Sequence, residues 1–86
     1  MAKKLKFHNN FKKFYKNSGN WLKSKINKQI RFLLEEPTHP SLKLRRMKGS
    51  EYYLVDIDYF YRMILKIEGD VYYIVDIGPH DIERKY

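Results

Sequence analysis

The hydrophobic repeat of this chain changes once, at Pro37, and that change restricts the folds open to it. Upstream, Leu22, Ile26, Ile30 and Leu33 recur at helical spacing, with Lys25, Lys28 and Arg31 turned away from the stripe. Proline cannot continue a helix and pushes Glu36 before it towards extended geometry, so the helix ends there. Beyond a connector over residues 38–50 the period becomes two. Tyr53, Val55 and Ile57 alternate with Tyr52, Leu54, Asp56 and Asp58, the signature of a strand with two distinct faces. Residues 59–68 predict a second strand and residues 71–77 a third, joined at Glu68-Gly69-Asp70, where a tight hairpin wants glycine. Before the long helix, Phe11, Phe14 and Tyr15 predict a shorter one capped by Asn9 or Asn10. Gly19, in the left-handed conformation, would divide the two. Residues 5–9, short and partly alternating, read as a first strand. The pattern predicts an α+β domain spanning 1–86: two N-terminal helices on one face of a small, mainly antiparallel sheet in the order β-α-α-β-β-β, its other face left open for function.

Charge divides the chain at almost the same place. Residues 1–48 hold fourteen of the eighteen Lys and Arg against only Glu35 and Glu36, a surplus of +12; residues 49–86 set four bases against eight acids, −4. So lopsided a field suits a polyanion or an acidic partner, although a lysine-rich face that only keeps a small protein soluble gives the same count. Without cysteine, disulfides and thiolate metal sites are excluded. No apolar run approaches the roughly 20 residues of a membrane span, and none follows the basic N-terminus as a leader would. A soluble, cytoplasmic protein is the expectation.

Reaction chemistry concentrates at the end of the last strand. The apolar run breaks at Gly78-Pro79, and His80 follows; Tyr86 adds a phenol. An imidazole at a strand end can move a proton near neutral pH, or it can be a plain surface histidine in a tail. Antiparallel neighbours carry Asp56 or Asp58, Arg62 and His80 towards one edge, and Lys43, Arg45, Arg46 and Lys48 enter from the connector. That set fits phosphodiester chemistry: cations hold phosphates, and an acid and a base move protons. Arg62 fits equally well a cross-strand ion pair with Asp56 or Asp58. The tyrosines and Phe60 fit sheet packing or base stacking. His39 and His80 have no metal-ligand spacing, and no glycine-rich phosphate loop or nucleophilic serine motif is present; no cofactor is expected.

Three ordered stretches, Glu36-Pro-Thr-His-Pro-Ser-Leu-Lys-Leu-Arg-Arg-Met-Lys48-Gly49, Tyr61-Arg62-Met-Ile-Leu65 and Val75-Asp-Ile-Gly78-Pro-His80 through Tyr86, resemble the RelE/ParE superfamily of bacterial type II toxins, especially RelE-like mRNA interferases. The resemblance runs through nearly the whole length. It implies a small α+β toxin domain, held inactive by an antitoxin, that cuts mRNA in the ribosomal A site. Arg62 matches the arginine of the family's Tyr-Arg motif, which stabilises the scissile phosphate. His80 falls where RelE has arginine and YafQ-like toxins a catalytic histidine. Tyr86 falls at a C-terminal tyrosine that stacks on or activates the substrate, and Lys43, Arg45, Arg46 and Lys48 fall in the segment that grips RNA. One departure stands out: where RelE carries basic residues on the strand before that motif, residues 51–58 hold none, and Asp56 lies near a position that is arginine in many relatives. An aspartate there would orient His80 or repel RNA.

The resemblance therefore implies a ribosome-dependent endoribonuclease acting through His80, Arg62, Tyr86 and Asp56, with mRNA, the ribosome and an acidic antitoxin as partners. Two alternatives share the fold: a ParE-like inhibitor of DNA gyrase, and a catalytically inactive antitoxin-binding module.

Overall fold

The computed structural model describes residues 4–86. Strand β1 (Lys4–Phe7) leads into helices α1 (Asn9–Lys16) and α2 (Asn20–Glu35), followed by a 3-10 turn (Pro40–Leu42), β2 (Arg45–Arg46), β3 (Tyr53–Asp56), β4 (Tyr61–Glu68), β5 (Val71–Pro79) and a final 3-10 turn (Ile82–Lys85). The five strands form one sheet in the order β1-β5-β4-β3-β2, antiparallel except for β1, which runs parallel to β5. The expected α+β architecture is present, with one strand more than the periodicity shows.

Both helices are where the apolar spacing puts them, but their ends differ in detail. His8, not an asparagine, caps α1, its Nδ1 accepting from the Asn10 N–H at 3.1 Å. Gly19 is extended (φ −72°) and opens α2 rather than closing α1. Leu22, Ile26 and Leu33 of α2 are buried with Phe11 of α1 against Val55, Ile57, Met63, Leu65, Tyr72, Ile74 and Ile77 of the sheet region, which makes this the main core. Gln29 is buried within the same helix face; its amide donates to the Asp56 carbonyl at 2.8 Å and to Ser41 at 3.3 Å, fixing α2 to β3 and to the connector.

Two sheet details position the other face. Gly69 takes φ +58° in the two-residue link from β4 to β5, where a side chain would be strained. The β4–β5 register then slips: Leu65 faces Ile74 but Ile64 faces Asp76, leaving Val75 as an extra residue on β5. On the face away from the helices Leu54, Ile64 and Ile82 form a second, smaller cluster, with Met47, Tyr52, Val75 and Tyr86 packed beside it. Ile82 belongs to the final turn, so the face expected to be open is partly covered by the chain's own C-terminus. A Cβ at Gly78 would stand 2.8 Å from Ile82 Cδ1, so any larger residue there would push the end of that side chain aside.

Candidate functional site

On the face away from the helices, cross-strand register builds one row: Asp56 on β3 faces Arg62 on β4, and Arg62 faces Gly78 on β5. Arg62 Nε lies 2.9 Å from Asp56 Oδ1, and Arg45 Nη1 reaches the same oxygen at 3.1 Å from β2. The aspartate is buried, and two guanidiniums share it. Asp56 does not orient His80, as one reading of the sequence supposed; its carboxylate holds the two arginines. The Arg62 side chain is only 19% exposed, and its Nη1 also donates to the carbonyls of Asp58 and Tyr59 at 3.2 and 3.4 Å. Its guanidinium therefore closes the β3–β4 turn as well as pairing with Asp56.

Asp58, the other sequence candidate for that pair, performs a different task. Its Oδ1 accepts from the N–H groups of Phe60 and Tyr61, both at 2.8 Å, and its Oδ2 from Lys25 Nζ at 3.0 Å. Burial opposes its ionisation, but the Tyr61, Lys25 and Phe60 hydrogen bonds outweigh that and hold its pKa below the ordinary value. Residues 59 and 60, expected to open a strand, are instead a turn held by this carboxylate.

His80 lies just beyond β5, at the sheet end where Tyr61 faces Pro79. It is exposed, and its ring meets the Phe60 ring edge-on with centroids 5.7 Å apart. His80 thus follows Gly78, the cross-strand partner of Arg62, by two residues. Tyr86 is placed differently. Its ring packs edge-on against Tyr52 at 5.1 Å, and its hydroxyl donates to Asp76 Oδ2 at 2.7 Å. Asp76 precedes His80 by four residues, roughly 13 Å along a strand. Burial and the bond to Asp76 push the Tyr86 phenol up to about 12. It is therefore a neutral hydrogen-bond donor at physiological pH, not a base, and the structure does not bring it beside His80.

The connector cations also divide. Arg45 turns inward to Asp56 and to the Lys43 carbonyl at 2.8 Å. Arg46 is exposed and donates from Nε to the Ser50 carbonyl at 2.9 Å. Lys43, in the left-handed conformation at φ 46°, and Lys48 are exposed with no acidic partner among the described residues. His39 is structural: it stacks on Phe32 at 3.8 Å, and its Nδ1 accepts from the Ser41 N–H at 3.1 Å. Sequence reasoning missed the shared role of Arg45, because a two-residue strand leaves no alternation to read.

With this geometry in view, the sequence matches the ParE-like toxin domain family over residues 20–81. The chain belongs to that family. It is a toxin of the RelE/ParE superfamily. Comparison with curated protein sequences finds no match. Among solved structures it is similar to the archaeal RelE–RelB complex of Pyrococcus horikoshii (TM-score 0.78, 17% identity, 95% of this chain and 99% of that one). It also resembles the E. coli DinJ–YafQ toxin–antitoxin complex (0.76, 14%, 93% and 94%). A third likeness is to the YoeB/ParE toxin of Agrobacterium tumefaciens (0.74, 20%, 90% and 98%). At such identities these matches establish the RelE-like fold. No helix among the described residues is long and apolar enough to cross a membrane.

Proposed function

We propose that this toxin is a ribosome-dependent endoribonuclease that cleaves mRNA by attack of a 2′-hydroxyl on the adjacent phosphate, and that an acidic antitoxin holds it in check. The observation that carries the reading is the exposed imidazole of His80 at the end of β5, on the same sheet end as the Asp56–Arg62 row. His80 takes the proton from the 2′-hydroxyl or gives one to the departing 5′-oxygen. Either role is worth about 10²–10⁴-fold for a positioned group. Arg62, oriented by Asp56, offers positive charge to the phosphate oxygens as the pentavalent state forms. Lys43, Arg46 and Lys48 draw the RNA backbone to the β2 edge, and Arg45 supports the row. Tyr86 holds the C-terminal turn to β5 and donates a hydrogen bond; it does not act as a base. The +12 surplus of residues 1–48 is the surface an acidic antitoxin segment would cover, and several of the similar structures are toxin–antitoxin complexes.

A second reading has its own support. The Arg62 guanidinium is largely committed to Asp56 and backbone carbonyls, β3 offers no base, and the matching family is described as ParE-like. These favour a gyrase-directed inhibitor without nuclease chemistry, or a spent module that only binds its antitoxin. Induction of the wild-type chain with mapping of mRNA 5′ ends and assay of DNA supercoiling separates the three. The nuclease reading expects growth arrest with new ends in phase with ribosomal A sites and normal supercoiling. Arrest with intact mRNA and inhibited gyrase overturns it, and harmless expression leaves the binding module.

A further inference from the structure

Three large apolar side chains are exposed among the described residues: Trp21 at 70%, Tyr59 at 97% and Phe60 at 47%. They gather at one end of the molecule. Lys25 Nζ lies 3.5 Å from the Trp21 ring centroid and 3.0 Å from Asp58, so one ammonium ties the start of α2 to the turn that bears Tyr59 and Phe60. The two N–H bonds to Asp58 fix that turn. Phe60 rests edge-on against Tyr61 at 4.9 Å, and its ring lies edge-to-face with His80. The fold therefore presents aromatic surface to solvent directly beside the imidazole, on a turn that is held rigid.

We propose that Phe60, assisted by Tyr59, is a stacking platform for an unpaired base of single-stranded RNA, and that it places the nucleotide flanking the phosphate that His80 addresses. The proposal rests on the nuclease reading for its purpose but not for its measurement. Exposed rings on a fixed turn lose little freedom when a base stacks, and every base has a face to offer. The rings adjoin the imidazole assigned to the phosphate, and the chain's net charge of +8 suits a polyanion. Tyr59 and Phe60 would then set how the substrate lies, while Arg62 and His80 act on the phosphate.

The test is titration of the full chain with a short single-stranded RNA whose riboses are 2′-O-methylated, so that no cleavage occurs, and which carries one 2-aminopurine. Wild type should quench the fluorescent base on binding. Phe60→Ala should bind roughly tenfold to a hundredfold more weakly, the range for one lost base–aromatic stack, and should not quench. Phe60→Trp, which keeps a ring face, should retain both affinity and quenching and shows that the turn still folds. Wild type that binds without quenching, or Phe60→Ala with unchanged affinity, overturns the platform, as does wild type that does not bind the RNA. So does a Phe60→Ala variant that keeps RNA binding but loses a co-expressed protein partner. Quenching by a wild type that never cleaves mRNA sinks the nuclease reading and leaves the platform standing. Cleavage with RNA binding indifferent to Phe60 does the reverse.

Discussion

The two faces of this sheet solve different problems with the same strands. Towards the helices, Val55, Met63, Leu65, Ile74 and Ile77 meet Leu22, Ile26 and Leu33 in one continuous apolar layer. On the other face three buried hydrophobics, Leu54, Ile64 and Ile82, lie beside an aspartate shared by two arginines and a tyrosine bonded to a second aspartate. The first face buries area and supplies most of the stability. The second holds charged groups that contribute less and need partners to stay where they are. In a toxin of this size a rigid layer on one side allows a polar, partly exposed layer on the other.

Substitutions on each face should separate the two roles. Leu65→Ala empties a fully buried site on the helix side, and urea denaturation should show a loss of about 3 kcal/mol. Asp56→Ala leaves Arg45 and Arg62 without their counter-ion. Their partial exposure puts the cost between that of a surface and a buried pair, about 2 kcal/mol. A loss at Asp56 as large as at Leu65 would mean that the polar face carries as much of the fold as the apolar one.

Tyr86→Phe removes only the hydroxyl bond to Asp76 and should cost about 1 kcal/mol at neutral pH. Its pH dependence is the sharper reading. Because the folded phenol is raised from 10 to about 12, its contribution is complete below pH 10 and is lost as pH climbs towards 12. Stability of wild type should therefore fall more steeply across that interval than stability of Tyr86→Phe. Parallel curves would show that neither burial nor Asp76 raises the phenol.

Much of the architecture was legible because it is periodic. The α2 stripe and its stop at Pro37, the β3 alternation and the Gly69 hairpin all follow from local chemistry acting within a few residues. What escaped is short or long-range. Arg45–Arg46 is too brief to alternate, and the extra residue at Val75 shifts the phase of β5 midway. The covering of Gly78 by Ile82 depends on the tail turning back, which no spacing announces. At the site, the Asp56–Arg62 pair follows from strand register and stood among the expectations. Arg45's contact with Asp56, the fixed turn at Asp58 and the bond from Tyr86 to Asp76 depend on side chains from separate segments.

His80 is where stability and activity should come apart most cleanly, since it is exposed and its ring meets Phe60 edge-on at the surface. The direct test is cleavage of mRNA on translating ribosomes by His80→Ala protein, with its urea midpoint measured on the same preparation. The account expects a midpoint within error of wild type and cleavage reduced by about 10²–10⁴-fold. Undiminished cleavage by a fully folded His80→Ala protein would contradict it.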